Sequence, residues 1–256
     1  MSPIGSGDSS QAYHVIIPAR LASQRLPDKM LADVNGRALI LHTWERALGS
    51  RAATVHVATD DDRIAAVVHS AGGQVVMTSK DHLSGTDRLV EAASALKLSD
   101  DAIVVNLQGD EPLMPTACLD QVAGLLHRRA EARMATLWTA IDKEADWRDP
   151  NVVKLLATHD GRALCFSRSG IPCVRDGAWP EEAARRHVGL YAYRVDALKA
   201  WPALPSSPLE ALESLEQLRG LQAGWWINTA QAVEPIPIGI DTLEDLNRLR
   251  TELSSV

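Results

Sequence analysis

At 256 residues the chain suffices for one large α/β domain or two small ones, and either size buries a sizeable core. Its 26 Lys and Arg against 33 Asp and Glu leave a net charge of −7, which argues against a general nucleic-acid or anionic-membrane surface. Cys118, Cys165 and Cys173 show no C-x-x-C spacing, so neither a disulfide framework nor a zinc knuckle is suggested, and a reducing, cytoplasmic compartment fits.

Residues 1–13 (MSPIGSGDSSQAY) lack the basic and apolar regions of a secretory signal and read as a disordered tail, and no run approaches the roughly 18 apolar residues of a membrane span. From residue 14, HVIIPA, ALILHTWERALGS, ATVHVAT, DDRIAAVVHSAG, QVVMTS, GTDRLVEAASALKL and AIVVNLQ alternate strand and helix patterns. Because VIIP and AIVVNL are apolar on both faces, the fold class predicted is α/β with a doubly wound, mostly parallel sheet. After a helix near 115–132, RMATLWTAI, VVKLLAT, RALCFSR and HVGLYAYR read as successive strands, a mixed or antiparallel addition. A proline-rich connector at 201–208 then leads to two helices, LEALESLEQLRGLQ and TLEDLNRLRTEL, separated by strand-like stretches around WWIN and EPIPIGI.

The stretch VIIPARLASQRLPDK turns from a buried strand into a basic loop with Arg20, Arg25 and Lys29. In doubly wound sheets ligands sit beyond the C-terminal ends of the strands, where this loop falls. Neither G-x-G-x-x-G nor G-x-x-x-x-G-K-[ST] occurs, so charge must replace a glycine cradle. Two bidentate guanidiniums and an ammonium would neutralise much of a triphosphate; an ordinary solvated loop is the competing reading.

VVNLQGDEP brings Gln108, Gly109, Asp110 and Glu111 to the same sheet edge. One aspartate at a strand end can start a Mg²⁺ site, because that ion takes most of its oxygen ligands from phosphates and water; a plain turn former is the alternative. In GIDTLEDL, Asp241 with Glu244 has capping-box spacing, and so does Thr242 with Asp245. SGTDR (84–88) reads as the start of the third helix, capped by Ser84 or Thr86. SPLE places Ser207 at the N-cap, Pro208 at N1 and Glu210 at N3. Glu210, Glu213 and Gln217 would then share one helix face, with Leu209, Leu212 and Leu215 turned to the core.

IIPARLASQRLPDKML resembles the N-terminal signature of the sugar nucleotidyltransferases, most closely the 3-deoxy-manno-octulosonate (KDO) cytidylyltransferases, whose pattern is R-x-x-S-x-R-L-P-G-K. Asp28 stands where glycine is usual and Met30 where proline is usual. The resemblance continues through VATDDDRIA, HLSGTDR, VNLQGDEP, FSRSGIP, HVGLYAYR, SPLEALESLEQLR and GIDTLEDL, nearly everything after residue 13.

That resemblance implies that Arg20, Arg25, Lys29, Ser84 and Arg88 contact the nucleotide, with 84–88 bordering the cytosine pocket. It implies Asp110 and Asp241 as ligands of Mg²⁺, and Arg20, Lys29, Asp110 and Asp241 as the catalytic set. Gln108, Arg168, His187, Tyr191, Glu210 and Glu213 would hold the acidic sugar, a carboxylate bound by Arg or His and hydroxyls by Glu or Gln. The activity implied is transfer of CMP from CTP to the anomeric hydroxyl of KDO, activating it for lipopolysaccharide synthesis in a Gram-negative cytoplasm. The division expected is a tail (1–13) and one domain (14–256), comprising a nucleotide-binding half (14–132), a sugar-binding and dimerisation part (133–240) and a C-terminal helix (241–256). A homodimer is implied, with Trp138 or Trp225 as candidate contacts. Rival readings are another acidic sugar such as sialic acid or 8-amino-KDO, a non-catalytic CTP sensor, and a nicotinamide-dependent oxidoreductase, which the missing glycine fingerprint disfavours. Seven Trp against one Phe has no explanation in the sequence.

Overall fold

The computed structural model describes residues 12–21, 26–82 and 84–254. Strands β1 (His14–Ala19), β4 (Thr54–Thr59), β5 (Gln74–Met77) and β6 (Ile103–Asn106) are parallel, in the order β6-β1-β4-β5. Their alternating side chains divide between two helix layers, as a sheet buried on both faces requires. Val15 and Ile17 pack with helices α1 (Leu39–Leu48), α2 (Asp62–Ser70) and α4 (Thr116–His127). Ile16 and Val104 pack with α3 (Gly85–Ala95), α6 (Val195–Ala200) and α8 (Gln217–Gln222). The predicted mostly parallel, doubly wound sheet is therefore what the chain forms.

The strand-rich addition also forms. The long strand β10 (Arg185–Arg194) runs antiparallel to β6 and to β7 (Ala132–Ala140), and β11 (Trp226–Gln231) closes that side in parallel with β7. β8 (Lys154–Ala157) and β9 (Ala163–Ser167) form an antiparallel pair attached to β10. Two short strands were not foreseen: β2 (Asp33–Val34) and β3 (Arg37–Ala38) make a hairpin around Asn35 and Gly36, both at positive φ as a two-residue turn demands. The remaining helices are α5 (Glu144–Arg148), α7 (Pro208–Glu213) and α9 (Leu243–Ser254).

Several expectations are corrected. Tyr13, assigned to the tail, is buried and donates its hydroxyl to Asp120 at 2.6 Å; residues 1–11 lie outside the described residues. The helix near 115–132 ends at His127. The single helix expected over 209–222 breaks at Ser214, which adopts the left-handed conformation (φ 50°), leaving α7 and α8. The break ends the assumed periodicity, so Leu215 is buried while Leu209 and Leu212 are exposed. EPIPIGI forms no strand, because two prolines remove ladder donors.

The tryptophans also acquire a role. Among the described residues, arginine guanidiniums stack on five of the seven: Arg148 on Trp147, Arg185 on Trp138, Arg219 on Trp201, Arg133 on Trp225, and both Arg129 and Arg162 on Trp226. Indole is the best face for such stacking, which phenylalanine provides more weakly.

The register positions the site. Ala19 is opposite Thr59 and Ile16 opposite Asn106, so the parallel strands deliver Arg20, Asp60 and Gln108 to one edge. Tyr191 pairs with Asn106 on antiparallel β10, which carries the earlier residue His187 toward that same edge.

Candidate active site

At this edge a short 3-10 turn, Lys29–Leu31, turns Lys29 inward. The preceding Asp28 has φ 54° and ψ 26°, a left-handed conformation that glycine adopts freely and Asp tolerates better than most residues. This accounts for the glycine usual there in the resembling family. The Asp28 carboxylate is turned toward Arg63, 3.8 Å from Nη1.

The buried Lys29 ammonium donates to Asp110 Oδ2 at 2.6 Å, to the Ile240 carbonyl at 2.9 Å and to Asp241 Oδ1 at 3.2 Å. Asp241 reaches Lys29 and does not cap α9. Thr242 Oγ1 accepts from Asp245 N at 3.2 Å, and Asp245 Oδ2 accepts from Thr242 N at 2.9 Å, the reciprocal box. The reading of Asp241 as N-cap with Glu244 at N3 is thereby corrected. Ile240 N bonds to Asp110 O at 2.9 Å, tying the two aspartate-bearing segments together.

Glu111, which the sequence reading quoted without a role, has a buried Oε2 with no hydrogen-bond partner among the described residues. Burial, then the charges of Asp110 and Asp241, pushes its carboxyl up to about 8. Thr43, likewise missed, donates to the Gly109 carbonyl at 2.8 Å and so braces the turn that presents Asp110. A Cβ on Gly109 would stand 2.8 Å from Met30 Sδ and 3.3 Å from the Pro18 carbonyl. Gly109→Ala is expected to destabilise by about 1–3 kcal/mol through this overpacking, measured by urea unfolding.

Beside the cluster lies a cavity of about 650 Å³, within the size range of small-ligand sites. Arg20, Lys29, Ser84, Arg88, Gln108, Asp110 and Asp241 all line it, which brings most of the predicted nucleotide set together. Arg25 lies outside the described residues. Ser84, rather than Thr86, caps α3, its Oγ accepting from Asp87 N at 3.1 Å. Arg88 is buried and pairs with Asp60 at 3.2 Å and with the Thr78 hydroxyl, locking α3 to the loops after β4 and β5. His82 also lines the cavity, held by Glu91 at 2.5 Å; its signal was its place in HLSGTDR.

Of the acceptor-side residues only Gln108 lines this cavity. Arg168 and Glu213 are joined: the Arg168 backbone N–H donates to Glu213 Oε2 at 2.9 Å and its Nε to the Glu213 carbonyl at 2.6 Å. Glu210 makes a two-bond pair with Arg219 at 2.6 and 2.7 Å, while its backbone N–H is capped by Ser207 Oγ at 3.0 Å. The N-cap prediction at Ser207 holds, but the Glu210 side chain goes to Arg219 instead of returning to the cap. Gln217, on α8, does not share a helix with them.

His187 Nε2 lies 2.7 Å from the Tyr191 hydroxyl and 3.2 Å from Thr136 Oγ1. His187 and Tyr191 share one face of the strand, and a bulge between Val188 and Tyr191 brings them opposite Trp138 and Thr136, only two positions apart on β7. Burial, then the charge of Arg186, lowers the imidazole from 6.5 to about 3. The unfolded chain therefore binds the extra proton between those values, and stability is lost as pH falls below 6.5. His187→Gln is expected to remove up to about 2 kcal/mol of the stability lost on acidification from about pH 7 to pH 5, read from urea midpoints.

Among the described residues there is no group of three or more His, Cys, Asp or Glu side chains arranged for a metal. Two carboxylate oxygens and a backbone carbonyl nevertheless converge on the Lys29 ammonium. Hard oxygens in that number fit a cation completed by phosphate and water.

A cavity of this size at the C-terminal strand edge, lined by Arg20, Arg88 and a lysine shared between two aspartates, is the layout of a nucleotidyltransferase. The chain belongs to the cytidylyltransferase family, whose pattern matches residues 14–231. Its relatives include the 3-deoxy-manno-octulosonate cytidylyltransferase of Pseudomonas fluorescens, 47% identical over 96% of this chain and 100% of the relative. That of Xanthomonas campestris pv. campestris is 48% identical over 99% and 93%. A solved structure of CMP:2-keto-3-deoxy-manno-octonic acid synthetase complexed with CTP is similar at a TM-score of 0.88 and 40% identity, over 95% of this chain and 99% of that one. A cytidylyltransferase from Leptospira borgpetersenii, 18% identical with a TM-score of 0.63, shares the fold.

Proposed function

We infer that the chain transfers CMP from CTP to the anomeric hydroxyl of KDO, forming CMP-KDO and releasing pyrophosphate. The observation that carries this reading is the meeting of Lys29, Asp110 and Asp241 at the mouth of the strand-edge cavity, in a chain so similar to KDO cytidylyltransferases. The anomeric oxygen attacks the α-phosphorus in line as the bond to the β-phosphate oxygen breaks, so positioning and charge neutralisation carry the catalysis. Arg20 and Lys29 supply positive charge for the triphosphate, and Ser84 and Arg88 shape the wall at the start of α3. Gln108 supplies hydrogen bonds between nucleotide and sugar. Arg168, His187, Tyr191, Glu210 and Glu213 form the acceptor side, with Glu213 orienting Arg168.

The reading includes Mg²⁺ held by Asp110 and Asp241. Bound there, the ion would polarise the phosphate oxygens and increase the acidity of the attacking hydroxyl. It also includes a homodimer joined through the strand-rich part, where Leu164 on β9 is exposed; Trp225, by contrast, is buried within its own chain beneath Arg133. A cytoplasmic site of action is consistent with three free cysteines, and no helix among the described residues is long and apolar enough to cross a membrane. CMP-KDO would serve lipopolysaccharide synthesis.

Pyrophosphate release tests the reading, with CTP, UTP, ATP and GTP each paired with KDO, 8-amino-KDO or a sialic acid in the presence of Mg²⁺. Release with CTP and KDO far above the other pairs is the expected result. CTP binding without release from any pair would overturn it in favour of a nucleotide sensor.

A further inference from the structure

The Lys29 ammonium has three N–H donors, and the Asp110, Asp241 and Ile240 oxygens take all three. These are the same oxygens assigned above to the cation. The buried ammonium in this arrangement cannot also give a hydrogen bond to a triphosphate. A divalent ion entering among the same ligands would meet a positive charge at hydrogen-bond distance in a partly desolvated site, where repulsion is stronger than in water.

We propose that Lys29 is an exchangeable placeholder for the divalent cation: it neutralises Asp110 and Asp241 before loading, and the metal displaces it toward the triphosphate. The inference rests on the metal reading of the site and adds an order to it. The aspartates remain paired throughout, by lysine first and by metal afterwards. Lys29 is thereby a positioning residue that links metal entry to capture of the phosphates. Its long, unbranched stem makes the swing feasible, since rotation about the side-chain torsions moves the ammonium without moving the 3-10 turn.

The test is Mn²⁺ binding to the nucleotide-free protein, followed by electron paramagnetic resonance. Lys29→Met is expected to tighten Mn²⁺ binding at least about tenfold over wild type, and adding Asp241→Asn to that variant should abolish the gain. Equal Mn²⁺ affinity in wild type and Lys29→Met, sensitive to Asp241→Asn in both, would overturn the exchange while leaving the metal site intact. Absence of site-specific Mn²⁺ binding in both proteins, with or without CTP, would remove the metal reading and the exchange together. A second measurement uses wild-type protein and so does not depend on the variant folding. Acetylation of Lys29 by an N-hydroxysuccinimide ester, read by peptide mass spectrometry, should accelerate severalfold when Mg²⁺ alone is added. An unchanged or slower rate under Mg²⁺ concentrations that displace bound Mn²⁺ would overturn the proposal.

Discussion

Asp110→Asn is expected to lower the turnover rate of pyrophosphate release by about 10³-fold or more, with CTP and KDO saturating. The variant retains the shape and one acceptor oxygen but loses the negative charge nearest the Lys29 ammonium, at 2.6 Å. A bound cation contributes several kcal/mol of charge stabilisation to the transition state, and about 4 kcal/mol corresponds to 10³ in rate. Asp241→Asn should act in the same direction. The double variant should be little worse than either single one, because groups that act as a unit are not additive. Turnover within a few-fold of wild type in both would refute the metal assignment. Thermal unfolding of each variant, recorded alongside, separates loss of chemistry from loss of fold.

Lys154→Met should have the largest effect on stability, a loss of about 3–5 kcal/mol in urea unfolding. Lys154 is fully buried, and its ammonium donates to the carbonyls of Asp149 at 2.8 Å, Val152 at 2.5 Å and Arg168 at 2.6 Å. Methionine replaces the stem but leaves those three oxygens without that donor, each at the cost of an unmet buried hydrogen bond. Because one of them belongs to Arg168, which the proposed function places on the acceptor side, the KM for the sugar should rise even where the variant remains folded. A change below about 1 kcal/mol would show that the carbonyls find other partners. Nothing in VVKLLAT marks this lysine as buried: a single cation in an apolar strand reads as an edge residue until its surroundings are known.

The parallel half of the fold was legible for a physical reason. Runs such as VIIP and IVVN have no polar face, and only a sheet covered by helices on both sides can bury them. The single helix expected over 209–222 is two, because apolar spacing alone does not reveal a left-handed residue at Ser214. The capping choice at 241–245 was also undecidable locally. Both Asp241 with Glu244 and Thr242 with Asp245 satisfy the spacing, and the structure selects the second, leaving Asp241 for the site. Glu111 and Thr43 went unassigned because an acid after an aspartate and a threonine in a helix are ordinary until burial gives them consequences.

By itself, the sequence determined the chemistry available: a basic loop after the first strand, aspartates at two later strand or helix boundaries, and motifs that mark a cytidylyltransferase. Those are matters of residue type and order along the chain. Tertiary structure alone decided which charges meet. Lys29 and Asp241 are 212 positions apart, yet their side chains stand 3.2 Å from each other, because the strand-free segment before α9 is held against the loop after β6, Ile240 N bonding to Asp110 O at 2.9 Å. Tertiary structure likewise assigned the predicted phosphate lysine, in this arrangement, to two carboxylates and a carbonyl, since a buried ammonium must have every proton accepted.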